Sequence, residues 1–154
     1  VEGGSKLVPL IQKLVDTGVP VMGHLGLQPQ MVLQYGGFLL QGNSCEAAER
    51  MFSEAIAIQE AGVFSIVLEK IPAELAEKLT HELKVPTIGI ASGVNCDGQI
   101  LVYHDLLGMQ PEVNFKFVRR YANLGDTIQT AVKQYANDVR TKEFPSVQES
   151  YFIN

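Results

Sequence analysis

Apolar residues recur along the chain with two alternating spacings. In four stretches they return every three or four residues, which places them on one face of an α-helix. Between these stretches lie short runs that are apolar almost without interruption, as in buried β-strands. The predicted helices cover residues 5–18, 43–62, 72–83 and about 126–141.

Residues with known preferences for helix ends mark these four stretches. Small polar side chains and proline are favoured at the start of a helix, and glycine is favoured just after its end. The predicted start residues are Ser5, Asn43 or Ser44, Pro72, and Asp126 with Gln129 as a pair resembling a capping box. Gly18 and Gly62 are the predicted ends of the first two helices.

Four strand-like runs alternate with the helices: VPVMG, VFSIVLE, VPTIGI and QILVY. VFSIVLE is apolar up to Glu69, which predicts a strand buried on both faces. Such strands between amphipathic helices predict a parallel α/β architecture. The pattern leaves open whether the sheet is doubly wound or part of a (β/α)8 barrel. A whole barrel needs roughly 250 residues, so this chain could supply only about half of one.

Composition narrows the class of protein without naming a reaction. The 154 residues are 46% hydrophobic, which is enough for one packed domain. A net charge of −5 without a Lys/Arg stripe argues against nucleic acid and anionic membranes as partners. No apolar run approaches a membrane span and no targeting segment opens the chain, so a cytoplasmic location is expected. Cys45 and Cys96 have neither disulfide-framework nor zinc spacing.

Each predicted strand ends in glycine or in polar residues. These ends are Gly23-His24, Glu69-Lys70, Ala91-Ser92-Gly93 and His104-Asp105. Because the carboxyl ends of parallel strands share one rim, which is where substrates bind, Glu69 is the best acid/base candidate. An ion pair with Lys70 is the structural alternative, although adjacent strand residues point to opposite faces. For His24 taken alone, a hydrogen bond to loop backbone is the favoured interpretation.

Several segments occur together in the order of one enzyme family. They are EGG, PVMGHLGLQPQ, GGFLLQG, IVLE with IPAELA, PTIGI, DGQILVYHDLLG, KFVRRYANL and the tail FPSVQESYF. With these motifs the chain resembles ketopantoate hydroxymethyltransferase (3-methyl-2-oxobutanoate hydroxymethyltransferase). The resemblance covers almost the whole chain, and the GHLGLxPQ segment is highly specific to that family.

The resemblance implies an α/β fold of the (β/α)8 TIM-barrel type. This chain would supply roughly strands five to eight and their helices, so that residues 1–154 form the C-terminal portion of a single barrel domain. The N-terminal portion, roughly 100 residues by the usual barrel size, would be absent from this chain and would be its partner. The family commonly forms homo-oligomers, typically decamers.

The resemblance also implies a reaction. The family uses Mg²⁺ and transfers a one-carbon unit from 5,10-methylenetetrahydrofolate to the keto acid 3-methyl-2-oxobutanoate, giving 2-dehydropantoate for pantothenate and coenzyme A synthesis. The metal polarises the keto carbonyl, and a carboxylate base removes the neighbouring proton. By resemblance Glu69 is this catalytic base, His24 and Val102 bind the substrate, and Glu2 is the acidic residue associated with the metal.

Departures from the family pattern leave other interpretations open. Two metal-binding aspartates, a serine that binds the keto acid and a substrate-binding lysine have no match here. Lys70 stands where cysteine is frequent, and we expect little effect because it should point away from the pocket. Ala91-Ser92 replaces a glycine-rich stretch and could narrow or re-polarise the loop near the substrate.

Two alternatives remain at this stage. The chain could be a catalytically incomplete half-barrel that acts only as a structural or oligomerising fragment. An open half-barrel would expose two unpaired edge strands and an apolar surface, which argues against an independent monomer. A related metal-dependent lyase is a weaker alternative, and the GHLGLQPQ and DGQILVYHD segments argue against it.

Overall fold

The computed structural model describes residues 1–112 and 114–153, which divide into two compact units, Val1–Ile100 and Leu101–Asn154. The first unit contains α1 (Val8–Asp16), β1 (Met22–Gly26), α2 (Cys45–Glu60), β2 (Ser65–Glu69), α3 (Ala73–Glu82), β3 (Thr87–Ile90) and β4 (Gly98–Gln99). The second contains α4 (Tyr103–Leu106) and α5 (Leu124–Thr141). Short 3-10 turns lie at Ser5–Leu7, Pro29–Met31 and Val147–Glu149.

The first unit is built on a four-stranded parallel sheet with the strands in chain order, β1-β2-β3-β4. Helices α2 and α3 connect its first three strands, while residues 91–97 join β3 to β4 without a helix. This arrangement confirms the predicted parallel α/β class. The assignment to barrel strands five to eight stays a prediction.

One face of the sheet packs against the helices and forms the core. Leu25, Ile66 and Leu68 alternate with outward-facing neighbours and are buried among residues of α1, α2 and α3. The helical contributors to this cluster include Ile11, Ala55, Ile58, Leu75, Ala76 and Leu79. These are the positions that the helical spacing places inward, because a period of 3.6 residues keeps them on one face.

The opposite face of the sheet is only half-buried, which corrects the prediction that β2 is buried on both faces. Val67 and Glu69 of β2 are intermediate in exposure, as are Ile88 and Ile90 of β3. The sequence suggested otherwise because an apolar side chain on a half-open face looks the same in the sequence as a buried one.

Strand β1 begins and ends about three residues later in the sequence than the predicted strand VPVMG. The strand starts at Met22 and continues through His24 to Gly26. The parallel register with β2 extends this far because Gly26 lies opposite Glu69 and the amide of Leu27 donates to the carbonyl oxygen of Glu69 (2.8 Å). His24 is therefore the middle residue of a strand and not its end, as the sequence predicted.

The predicted position of the fourth strand, QILVY, is wrong. Strand β4 consists of Gly98–Gln99, which pair with Ile88 and Gly89. Val102 lies outside the strand and is the N-cap of α4, because its carbonyl oxygen accepts hydrogen bonds from the amides of Asp105 and Leu106. His104 and Asp105 accordingly lie in a helical turn.

Helix ends were predicted with mixed success. The Ser44 hydroxyl accepts from the amide of Ala47 and caps α2, and Gly18 and Gly62 adopt positive φ after α1 and α2. Pro72 is the N-cap of α3. Ser5 is not a cap, because it lies inside a 3-10 turn that precedes α1.

The start of the last helix also differs from the prediction. Asn123, not Asp126, is the N-cap of α5, and its side-chain amide donates to the Asp126 carboxylate. The residues of α5 include none that is buried. Most of its apolar positions, among them Ile128, Val132 and Val139, are exposed in this chain. No helix of the described ranges is long and apolar enough to cross a membrane.

Gly26 offers a test of the β1–β2 contact. A Cβ at Gly26 would lie 2.1 Å from the carbonyl oxygen of Glu69, and the residue has φ +95°. We expect Gly26→Ala to lower the free energy of unfolding by about 3 kcal/mol, from left-handed strain plus overpacking. Gly18→Ala is the matched control, since Gly18 has φ +85° and nothing within 4 Å of such a Cβ. It should cost about 1 kcal/mol. Urea denaturation measures both, and equal losses would show that the close approach is unimportant.

Candidate active site

The strand register brings three ionisable residues to one face of the sheet. Glu2 forms an isolated parallel bridge with His24, and Gly26, two residues beyond His24, lies opposite Glu69. Paired residues of neighbouring strands, and alternate residues of one strand, project to the same face. Glu2, His24 and Glu69 therefore share the half-buried face, opposite the core that Leu25 and Leu68 enter.

The imidazole of His24 lies between the two carboxylates. Its Nε2 is 3.1 Å from Oε2 of Glu69, and its Nδ1 is 3.8 Å from Oε1 of Glu2. The exposed fractions of the side chains are 16% for His24, 29% for Glu2 and 20% for Glu69. A row of three ionisable groups with little exposure can position and exchange protons on a ligand at this face.

Two polar atoms of this row lack hydrogen-bond partners within the described residues. Oε2 of Glu2 and Nε2 of His24 are buried, and neither forms a hydrogen bond of acceptable geometry. The approach of Nε2 to Glu69 is close enough for an ion pair, but its direction is poor for a hydrogen bond. Buried polar atoms are normally paired, so the two unpaired atoms mark this row as a candidate contact for a bound molecule.

Backbone contacts fix the end of β2 that carries Glu69. The carbonyl oxygen of Glu69 accepts from the amide of Leu27, and the amide of Lys70 donates to Ile90 (2.9 Å). Close contact on the Gly26 side is possible only because that residue has no side chain. The backbone that carries the Glu69 side chain is thus held by hydrogen bonds to both neighbouring segments.

A cavity of about 510 Å³ opens beside Glu2. Glu2, Tyr35, Leu40, Gln41, Arg50 and Glu54 are among the residues that line it. Burial raises the pKa of the Tyr35 hydroxyl, and the nearby carboxylates of Glu54 and Glu2 raise it further. Tyr35 therefore keeps its proton beyond the usual range and can donate a hydrogen bond inside the cavity.

Sequence reasoning missed Tyr35. Its partners Glu2 and Glu54 are far from it in the sequence, and the residues around it follow neither a helical nor a strand spacing. Only the fold brings the three side chains together, so no local signal could have identified it.

The described residues do not form a metal centre by themselves. In residues 1–112 and 114–153, no group of three or more His, Cys, Asp or Glu side chains is arranged to hold an ion. The unpartnered Oε2 of Glu2 is a suitable oxygen for a hard cation such as Mg²⁺, but it is a single donor. The expected role of Glu2 toward a metal therefore remains a prediction.

The other predicted site residues lie elsewhere. Val102 belongs to the second unit, where it caps α4, and its contact with substrate stays a prediction. Ser92 is buried, and its hydroxyl donates to the carbonyl oxygens of Leu68 (2.7 Å) and Ile90 (3.1 Å). Because this hydroxyl is satisfied by backbone, it does not re-polarise the loop as the sequence allowed.

The fold and the site together define a parallel α/β protein with an acid–base row on one face of its sheet. Residues 1–147 match the sequence profile of the ketopantoate hydroxymethyltransferase family. A 3-methyl-2-oxobutanoate hydroxymethyltransferase of Carboxydothermus hydrogenoformans is 50% identical over 150 residues, which are 97% of this chain and 54% of that protein. Proteins of the same name from Nitratidesulfovibrio vulgaris and Clostridioides difficile are 50% and 49% identical over 153 residues.

This chain belongs to the ketopantoate hydroxymethyltransferase family. It spans about half the length of the curated relatives it matches: 50% of the N. vulgaris protein and 56% of the C. difficile protein. The family resemblance drawn from the sequence motifs is thereby confirmed.

The electrostatic coupling in the cavity can be tested directly. We expect Glu54→Gln to lower the pKa of Tyr35, because one of the two negative charges that oppose its ionisation is removed. NMR titration of ring-labelled tyrosine, with Tyr35→Phe to assign the signal, measures the change. Glu60→Gln, an exposed substitution at the end of the same helix, is the control. An unchanged Tyr35 pKa in Glu54→Gln would contradict the assigned contact.

Proposed function

We propose that this chain contributes the acid–base half of a 3-methyl-2-oxobutanoate hydroxymethyltransferase site, with Glu69 as the catalytic base. The single observation that supports this role is the carboxylate of Glu69 at a fixed strand end, 3.1 Å from His24 on a half-buried face. Membership of the family supports the reaction class. The activity of the whole protein belongs to relatives about twice as long as this chain, so it is proposed here.

In the proposed reaction, Glu69 takes the proton from the carbon next to the keto group of 3-methyl-2-oxobutanoate. The resulting enolate forms a carbon–carbon bond to the methylene carbon of 5,10-methylenetetrahydrofolate, and a bond from that carbon to a folate nitrogen breaks. Water then supplies the hydroxyl group as the second carbon–nitrogen bond breaks. The products are 2-dehydropantoate and tetrahydrofolate, and the proton on Glu69 returns to solvent or to a folate nitrogen.

His24 orients the groups on either side of it. Its Nε2 faces Glu69 and its Nδ1 faces Glu2, so the ring lies between the two carboxylates and keeps them apart. The incomplete hydrogen bonding of Nε2 leaves it available to an oxygen of the keto acid. We therefore assign His24 to substrate binding and orientation, and Glu69 to proton removal.

Two further roles are part of the proposal. Glu2 would associate with Mg²⁺ through its buried Oε2, directly or through a bound water, and the other ligands would come from the half of the relatives that this chain does not span. When bound, the ion would polarise the keto carbonyl. The backbone at Val102 would contact the substrate carboxylate, as the family resemblance implies.

The proposed assembly extends beyond this chain. The sheet would form strands five to eight of a (β/α)8 barrel, completed by the portion of the relatives that is not matched here. We also expect a homo-oligomer, such as a decamer, and a cytoplasmic location. These proposals rest on the family alone.

A transfer assay tests the proposal. The chain would be measured alone and after joining to the unmatched portion of the C. hydrogenoformans relative, with 3-methyl-2-oxobutanoate, methylenetetrahydrofolate and Mg²⁺. We expect activity in the joined protein and at least about a hundredfold loss of kcat in Glu69→Gln, the typical contribution of a general base. Glu77→Gln, an exposed substitution on α3, should retain activity.

Two outcomes would contradict this account. Full activity in Glu69→Gln would show that another group removes the proton. A correctly folded but inactive joined protein would favour the alternative of a structural or oligomerising fragment. Circular dichroism and chain mass distinguish these results from misfolding.

A further inference from the structure

The residue after Glu69 has an unusual backbone for its type. Lys70 adopts φ +50°, in the left-handed backbone region that residues other than glycine and asparagine rarely occupy. Such a conformation persists where surrounding contacts determine it, and it often lies near functional sites. The contacts of Lys70 are therefore informative.

Lys70 connects three segments of the first unit. Its amide donates to the carbonyl oxygen of Ile90 in β3 (2.9 Å), and its own carbonyl oxygen accepts from the amide of Gln41 (3.0 Å). Its ammonium group donates to the carbonyl oxygen of Phe38. The side chain of Lys70 thus reaches the loop that follows the 3-10 turn Pro29–Met31.

We call residues 36–42 the wall segment, because Leu40, Gln41 and Gly42 line the cavity beside Glu2. Inside this segment, the amide of Leu39 donates to Gly37 and the side chain of Gln41 donates to Leu39. Within the part of the chain that the structure describes, the hydrogen bonds from the wall segment to the sheet are the two made by Lys70. One of these involves a charged donor, which makes it the stronger kind.

We propose that Lys70 is a positioning residue whose ammonium group holds the wall segment against the end of β2, so that the cavity beside Glu2 is formed before a ligand enters. A preformed wall lowers the entropy cost of binding. The left-handed backbone makes this possible because it turns the carbonyl oxygen toward Gln41 while the side chain extends toward Phe38. The link to keto-acid binding rests on the proposed function, whereas the clamp itself does not.

Hydrogen exchange on the 154-residue chain tests the clamp without any activity. In Lys70→Met, which keeps the length and removes the charge, we expect the amides of residues 39–41 to exchange at least about threefold faster. Amides of β2 should be unchanged. Lys70→Arg should restore slow exchange, because the guanidinium can donate to the same carbonyl oxygen. Lys13→Met, an exposed lysine substitution on α1, is the control.

A kinetic measurement separates positioning from general stability. In the joined protein described above, Lys70→Met should raise KM for the keto acid severalfold and change kcat by less than about twofold, since the wall contributes binding and not proton transfer. Lys70→Arg should restore KM.

The exchange and kinetic results test the Lys70 clamp and the proposed function separately. Unchanged exchange at residues 39–41 in Lys70→Met overturns the clamp, whether or not the joined protein is active. Faster exchange everywhere, including β2, would mean that Lys70 only stabilises the fold and would also overturn the proposal. Faster local exchange with an inactive parent protein would support the clamp and count against the proposed function alone.

Discussion

The parallel pairing of β1 with β2 is the contact on which the site depends. It sets Gly26 opposite Glu69 and allows the backbones to approach so closely that only glycine fits. It also places His24 on the face that Glu69 occupies. Because side chains alternate along a strand, a shift of one residue would turn the Glu69 carboxylate into the helical core and remove it from His24.

The two faces of the sheet serve different purposes. Leu25, Ile66 and Leu68 supply the apolar face that fixes the helices, and this packing makes the register costly to change. The other face carries the ionisable row and remains half-exposed, so a ligand can reach it. Limited exposure also weakens solvent screening around His24 and Glu69, which strengthens their interaction with a charged ligand.

Features that depend on local sequence were predictable. The helical spacing identified the four long helices of residues 1–112 and 114–153, and the abrupt end of the apolar run at Glu69 identified the carboxylate at the end of β2. The family motifs identified the chain's relatives. These signals can be recognised in the sequence because each depends on residues that are close together along the chain.

Features that depend on long-range contacts were not predictable. His24 lies inside β1 because pairing with β2 prolongs the strand, and β4 is short because the chain turns into α4 at Val102. The proximity of Tyr35 to Glu2 and Glu54 and the reach of Lys70 to Phe38 likewise join distant segments. Alternation predicted only that Lys70 leaves the face of Glu69, not what its side chain contacts.

The central claim is that Glu69 removes a proton from the keto acid, and isotope exchange measures that step without folate. The joined protein would be incubated with 3-methyl-2-oxobutanoate and Mg²⁺ in D₂O, and NMR would follow the loss of the hydrogen next to the keto group. We expect enzyme-dependent exchange that falls at least about a hundredfold in Glu69→Gln. Exchange that continues at the parent rate in Glu69→Gln would contradict it.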